Sequence, residues 1–410
     1  MTHVLTITAV LLGICSWAIR IIMLVEIPRR RRPSSAVAWL LLIFFFPWFG
    51  LFMYLLLGRN RLPRKRLERH ARNMAKLQSL RKRFQASPNI VHPELEPSLM
   101  STVVLARHLS HMAILGGNQA AVIADSPTFA ERLVEDIDTA STYVHLLFYI
   151  FSDDDTGRKI AESLKRAQSR GVICRVLVDA VGSRPMLKHL GPEMARHGIE
   201  VQEILPVGLF RKQVARIDLR NHRKLAVIDG QVAYTGSHNA CDASYGRKDL
   251  AWHDLSFRLT GPVVLDLQAV FAGDWYLETE ESLDEDIYCP TARITGPTPM
   301  QVLPSGPNYP TENYQRMVVS ALHAARHRVI ITTPYFVPDE SFLQAIEVAR
   351  LKDVQVDLIV PLVTDHIVVG VAARAYYDDV LAMGVNLYLY GKGLLHAKTM
   401  TIDDSLAFVG

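Results

Sequence analysis

The body of this chain repeats itself, and that repeat limits its possible folds more than any other feature. From about residue 120 an order of helices and strands runs twice, and each run ends in the same residue pattern. "TYVHLLFYIF" from Thr142 parallels "HRVIITTPYF" from His327, and "GVICRVLVDA" from Gly171 parallels "DVQVDLIVPL" from Asp353. "HGIEVQEILP" from His197 parallels "MGVNLYLYGK" from Met383. In the first copy, helices are predicted over 131–140 and 157–170, with another closing at Met194 to His197. Its strands are predicted over 143–151, 172–178 and 199–205. In the second copy, helices are predicted over 315–326, 341–351 and 372–383, and strands over 328–337, 354–360 and 385–390. Such alternation implies an α/β layered body. Two copies are too few for a solenoid, so the expected fold is a duplicated, two-lobed α/β body with mixed sheets flanked by helices.

Each copy closes on His-x-Lys-x-x-x-x-Asp. The first reads His222-Arg223-Lys224-Leu225-Ala226-Val227-Ile228-Asp229, and the second His396-Ala397-Lys398-Thr399-Met400-Thr401-Ile402-Asp403. One such triplet carries no weight, because most would be surface residues. Two with the same Asp offset, in matching places of a duplicated body, are hard to obtain by chance. On an extended strand residues i and i+2 share a face, so each imidazole is expected beside its ammonium. Brought together at a pseudo-twofold interface, two histidines and two lysines surround one anion. One neutral imidazole can then attack phosphorus while a protonated one donates to the leaving oxygen. Lys224 and Lys398, with Ser237 and Asn239 of the following Gly236-Ser237-His238-Asn239, would stabilise the phosphoryl oxygens. This arrangement calls for no metal and no cofactor.

Ahead of the body lie two apolar runs, 4–25 and 36–57, of 22 residues each. Both approach the ~20 residues that cross a bilayer core as a helix. Arg20 is the only charge within them, near enough to the end of its run to snorkel. Only His3 precedes the first run and no small-residue cleavage site follows it, so a cleaved signal peptide is disfavoured. Two transmembrane helices are therefore expected over 1–60, with the N-terminus and the body on the same side. Arg29 to Arg32 fill the connection, while Arg59, Arg61, Arg64, Lys65, Arg66, Arg69 and Arg72 follow the second run. The longer cluster marks the body's side as cytoplasmic. Residues 60–85 read as a basic helix at the headgroups or a solvated charged helix, with a boundary at Ser87-Pro88-Asn89 and Pro93 to Pro97. The expected divisions are 1–60, a juxtamembrane segment 61–110, a first lobe 111–290 and a second lobe 291–410.

Forty-five Lys and Arg against 41 Asp and Glu leave a net charge of +4, concentrated near the N-terminus. That suits an anionic membrane surface better than nucleic acid. Cys15, Cys174, Cys241 and Cys289 are widely spaced and suggest neither a disulfide framework nor a zinc site.

The paired motif, over roughly residues 110–410, resembles the duplicated His-Lys-Asp signature of the phospholipase D superfamily. The two apolar runs, the junction "LLLGRNRLPRKR" from Leu55 and "TTPYFVPDE" from Thr332 extend the resemblance to bacterial cardiolipin synthases. The resemblance implies a multi-pass protein of the bacterial cytoplasmic (inner) membrane acting on phosphatidylglycerol among anionic membrane lipids. It implies a two-step transfer of a phosphatidyl group from one phosphatidylglycerol to another through a phosphohistidine, giving cardiolipin and glycerol. By that analogy His222 is the nucleophile and His396 the acid and base, the reverse staying open. Lys224, Lys398 and Asn239 would bind the phosphate, assisted by Ser237. Asp229 and Asp403 complete the catalytic signature, though the family pattern has them supporting the fold. Asp254, in "AWHDLSFRL", is the candidate that orients His222, with Asp249 as its rival. The partner of His396 and the second Gly-Ser-x-Asn are expected beyond residue 410, so that the chain as given would be impaired. Phospholipid hydrolysis or transfer to another acceptor is the alternative chemistry. A membrane scaffold without activity is disfavoured by the intact His and Lys of both motifs. Tyr149, Phe151, Tyr335 and Phe336 either line an acyl or headgroup channel or pack the core.

Overall fold

A computed structural model describes residues 2–31, 33–58, 66–72, 88–207, 219–246, 249–283, 286–309 and 312–410. Arg32, Arg59, Arg61, Arg64, Lys65 and most of 60–85 lie outside the described residues, as does Ser87. The chain divides into two compact units, parting between residues 64 and 65.

In the first unit the Thr2–Glu26 helix contains a stretch, Thr6–Glu26, long and apolar enough to cross a membrane. The second apolar run does not form a helix of that length. It breaks at Phe46, before Pro47, into Pro33–Phe45 and Pro47–Met53, and a π-helical turn follows at Tyr54–Gly58. Proline supplies no N–H to continue the ladder, which accounts for the break. Arg20 Nε donates to the Phe44 carbonyl at 2.9 Å, satisfying an acceptor that the interrupted helix leaves open. Trp48 Nε1 donates to Ser16 Oγ at 3.1 Å, so the broken run folds back on the first helix. The turn closes where Arg31 Nε donates to the Gly58 carbonyl at 2.8 Å.

The second unit holds both copies. Its strands are β1 (Leu115–Ile123), β2 (Tyr143–Phe148), β3 (Ile173–Asp179), β4 (Glu200–Ile204), β5 (Lys224–Ile228), β6 (Val232–Gly236), β7 (Trp252–His253), β8 (Ser256–Thr260), β9 (Thr298–Met300), β10 (Arg328–Thr332), β11 (Gln355–Pro361), β12 (Asn386–Tyr390), β13 (Leu394–Leu395), β14 (Thr399–Ile402) and β15 (Leu406–Val409). The first sheet runs β4-β3-β2-β5-β6-β8-β1-β9 and the second β12-β11-β10-β14-β15. The orders β4-β3-β2-β5-β6 and β12-β11-β10-β14-β15 are the same. Three parallel strands are followed by an antiparallel pair in each. The duplication read from the residues is thus a duplication of topology.

β2 is buried along its whole length, because helices cover both sides of a central parallel strand. Leu146, Leu147 and Phe148 are at most 1% exposed, each such burial worth roughly 1.5–3 kcal/mol. Helices begin earlier than apolar periodicity suggests because acids cap them. Asp125 Oδ1 accepts from the Thr128 N–H, Asp154 Oδ1 from Gly157 and Asp339 Oδ1 from Phe342.

Three expectations change. The helix expected over 372–383 is two short ones, Ile367–Arg374 and Tyr377–Ala382. β9 pairs with β1, so the first sheet reaches past residue 290. The Pro97–Ser110 helix packs on the second copy, where Thr102 Oγ1 lies 2.9 Å from Ser320 Oγ and Leu99 joins the core. It is no linker. Within the described part of the basic segment, Arg66 and Arg69 face protein acids. Arg66 Nε donates to Asn308 Oδ1 at 2.8 Å and its guanidinium pairs with Glu278, while Arg69 reaches the Leu277 carbonyl and Glu280.

Candidate active site at the junction of the lobes

Both His-x-Lys triplets sit at the mouths of their sheets, where the ladders begin. Lys224 is the first residue of β5, and β14 starts one residue after Lys398. The expectation that each triplet lies within a strand is corrected: of the two pairs only Lys224 does, and both histidines precede their strands. The carbonyls released from pairing are taken up by the motif's own lysines. Lys224 Nζ donates to the His222 carbonyl at 2.8 Å, and Lys398 Nζ to the His396 carbonyl at 2.7 Å.

The lobes are stitched together at this point. β7 of the first pairs in parallel with β13 of the second, Trp252 with Leu394 and His253 with Leu395. The His396 and Ala397 N–H groups then donate to the His253 carbonyl at 2.8 and 3.1 Å. Gly393, at φ +149°, makes the approach possible, since a Cβ there would lie 2.5 Å from the Ala251 carbonyl oxygen. The pairing lays Trp252-His253-Asp254 alongside Leu394-Leu395-His396. Asp254 Oδ1 comes to 2.6 Å from His396 Nδ1, both groups buried. Asp254 thus belongs to His396 and not to His222, and the carboxylate for His396 lies within the chain, not beyond residue 410. Holding Nδ1 leaves His396 Nε2 directed into the cleft, 3.1 Å from Lys398 Nζ.

His222 is held differently. Its ring stacks on Tyr149, with centroids 4.1 Å apart, and Lys224 Nζ lies 5.5 Å from the same ring. Among the described residues no carboxylate pairs with His222. Ser237 Oγ accepts from the Leu255 N–H at 2.8 Å. Asn239 Oδ1 accepts from Ile150 N–H at 3.1 Å, while its buried Nδ2 has no partner among the described residues. A buried amide donor left unpaired costs free energy unless a ligand accepts from it. It fits an anion-binding role.

The electrostatics agree. Burial, opposed by Asp254, pushes Lys224 down to about 8. Burial and then Lys224 push Lys398 down to about 7. Burial also lowers His396, against the pull of Asp254, and Lys398 adds to the lowering. His222 is lowered by partial withdrawal from water, then by Lys224, Lys398, His396 and Arg220. Its outer edge still meets solvent. Burial opposes ionisation of Asp254, but His396 and Ser237 outweigh it and hold the carboxyl below its usual range. Groups from both lobes thus feel one another, and an anion among them would relieve the repulsion.

Asp229 and Asp403 stand apart from this chemistry. Asp229 accepts from the N–H groups of Ser141, Thr142 and Tyr143, each at 2.8 Å. Asp403 accepts from those of Arg326, His327 and Arg328, each at 2.8 Å. Both take left-handed backbone, φ +51° and +50°. They latch the start of the neighbouring strand, which corrects the expectation that they act in catalysis and fits the supporting role. Of the four aromatics, Phe151 and Phe336 are core, whereas Tyr149 and Tyr335 face the site. Tyr335 donates its hydroxyl to Asp365 and lies 6.4 Å from the His396 ring.

Residue reasoning passed over two contacts. Trp252 covers His396 at 4.5 Å. Arg223, between His222 and Lys224, points away from the cleft to Asp274 and to the Ser305 carbonyl at 2.7 Å. Strand alternation was signal enough for the second, since the middle residue must face away. Among the described residues no group of three or more His, Cys, Asp or Glu could hold a metal ion.

Residues 133–275 and 318–410 match the family model described as cardiolipin synthase, PLD-like domain. Residues 17–59 match the phospholipase D-nuclease N-terminal segment. Cardiolipin synthase A of Edwardsiella ictaluri is 36% identical over 412 residues, covering 97% of this chain and 82% of that protein. The chain belongs to the cardiolipin synthase family. Cardiolipin synthase A of Yersinia pseudotuberculosis is 37% identical over 398 residues, covering 93% and 80%. The crystal structure of phosphatidylserine synthase from Haemophilus influenzae superposes with a TM-score of 0.54 at 14% identity, over 74% of this chain and 80% of that one. That likeness is one of fold. Family membership makes this chain an enzyme of phosphatidyl transfer with a phospholipase D-like body.

Proposed function

We propose that the enzyme joins two phosphatidylglycerol molecules at the lobe junction, releasing glycerol and forming cardiolipin. A ring nitrogen of His222 attacks phosphorus, the bond from phosphorus to the glycerol oxygen breaks, and protonated His396 gives that oxygen its proton. The terminal hydroxyl of a second phosphatidylglycerol then attacks the phosphohistidine. His396 takes the hydroxyl proton, the phosphorus–nitrogen bond breaks, and both rings return to their first state. Lys224, Lys398 and the Asn239 amide neutralise the phosphoryl oxygens, whose charge grows in each transition state. The substrate phosphodiester raises the proton affinity of His396 by adding negative charge beside it.

The observation that carries this reading is the crossed pair, Asp254 of one lobe 2.6 Å from His396 of the other. A carboxylate on Nδ1 favours the imidazolium and suits His396 as acid. The cations around His222 favour its neutral, nucleophilic form. We further propose that the N-terminal unit anchors the enzyme in the bacterial cytoplasmic membrane as a multi-pass hairpin. The broken second run enters the bilayer against the first helix, with Arg20 satisfying its open carbonyl. The 111–290 and 291–410 lobes work as one body, the first extended to β9.

The test is turnover in phosphatidylglycerol vesicles with excess chelator, lipids and free glycerol being quantified by mass spectrometry. Cardiolipin and glycerol in equal amounts, lost in His222→Ala and His396→Ala, are expected. Phosphatidic acid as the sole product would replace the transferase reading with hydrolysis.

A further inference from the structure

The segment that leaves β11 differs sharply from its counterpart after β3. In the first lobe, helices Arg184–Lys188 and Leu190–Arg196 turn their apolar residues inward, with Met186 0% and Met194 1% exposed. In the second lobe, helix Ile367–Arg374 turns them outward. Ile367 is 82% exposed, Val368 81% and Val371 65%. These three share one helical face, and exposed Leu362 and Val363 extend the patch back to the end of β11. Most other exposed apolar residues of the body are scattered, which is ordinary. A contiguous patch is not.

The patch adjoins the site. Between Val363 and Ile367 lies Asp365, which accepts the Tyr335 hydroxyl at 3.1 and 3.2 Å. Tyr335 in turn faces His396. His366 and Arg374, both exposed, flank the apolar face with groups suited to anionic headgroups. The same chain carries an apolar helix of membrane-crossing length whose side chains are open to the surroundings.

We infer that residues 362–371 insert shallowly into the acyl region of the bilayer and open a path for a lipid headgroup to the cleft. The inference rests on the reading that the site takes phospholipids. It explains why one copy of the repeat buries this segment and the other leaves it apolar and bare.

The experiment uses the protein reconstituted in phosphatidylglycerol vesicles, with the exposed Cys15 and Cys289 changed to serine. An environment-sensitive fluorophore is placed on Val368→Cys and, as control, on Leu351→Cys. Leu351 is 78% exposed and lies at the opposite end of β11, a seven-residue strand spanning roughly 20 Å. Lipids brominated on their acyl chains should quench the probe at 368 and spare that at 351. A solvent-like, unquenched probe at 368 overturns the inference. A shielded probe that bromine does not quench overturns it in favour of contact with a second copy.

A second arm replaces Ile367, Val368 and Val371 together by serine, positions too exposed for the fold to depend on them. Turnover in vesicles should fall about tenfold, and turnover of short-chain phosphatidylglycerol dispersed in detergent should stay within about twofold. Equal loss on both substrates, or none on vesicles, contradicts membrane docking. If the unmodified enzyme turns over neither lipid, the proposed function fails, and bromine quenching still decides the docking question.

Discussion

Asp229 and Asp403 serve the two lobes identically, while Asp254 crosses from one lobe to the other. Each latch aspartate binds three successive N–H groups of its own copy, with the same distances and nearly the same φ. Asp254 leaves the first copy to hold a histidine of the second. The latch is therefore repeated within each copy, but the chemistry is shared, and neither lobe alone can complete the site.

The comparison sharpens first at the histidines. His396→Ala and His222→Ala should each lower phosphatidyl transfer by about 10²–10⁴-fold, measured as cardiolipin formed per folded enzyme. Similar losses support one shared site; a variant with near-normal turnover would break it. Asp254→Asn comes next, with an expected loss of about 10²-fold, because the imidazolium loses its counter-charge. Combined with His396→Ala it should add almost nothing, since both changes disable one unit. Independent multiplication of the two losses would separate Asp254 from His396.

The latches should respond otherwise. Asp229→Ala and Asp403→Ala each leave backbone N–H groups short of an acceptor and should cost ~1–3 kcal/mol in denaturant unfolding. Turnover per folded molecule should hold in both, and a selective kinetic loss in either would return that aspartate to the site.

The smallest effect is a pH dependence. Lys398 is held at about 7 against an ordinary 10.5. Between those values the unfolded chain binds the proton and the folded chain does not, so stability rises as pH climbs through the window. Below about 7 the cost of the buried charge is fully present. Lys398→Met should therefore melt about 1–3 °C above the parent near neutrality, the gap closing toward pH 10.5. Inorganic phosphate, by pairing with the ammonium, should narrow the gap at neutral pH. A gap independent of pH would show that Lys398 is not held uncharged by the fold.

The residues made the duplicated α/β order legible because buried parallel strands such as β2 and β11 are mostly apolar, broken by His145 in the first and by Gln355 and Asp357 in the second. The two His-x-Lys pairs were legible because they recur at one offset. Their position at the very start of the strands was not, since a ladder's end depends on a neighbouring chain segment. Asp254 was visible as an acid in "AWHDLSFRL", yet its partner was misassigned. The pairing that decides it, β7 with β13, is two residues long and leaves no periodic trace. A proline inside the second apolar run accounts for the break at Pro47, but the fold-back that lets Arg20 reach Phe44 is a tertiary contact between distant residues. The outward face of Ile367–Arg374 reads like any core helix, because apolar spacing does not say which surroundings it meets.

The most direct test of a shared site with divided roles is to trap the covalent intermediate. A phosphatidyl ester of p-nitrophenol, whose leaving group departs without a proton, would be given to His396→Ala and to His222→Ala. The account predicts a burst of p-nitrophenolate from His396→Ala, with peptide mass spectrometry locating the phosphatidyl group on His222. His222→Ala should give neither burst nor adduct. An adduct on His396 in the His222→Ala enzyme would contradict the assignment of roles.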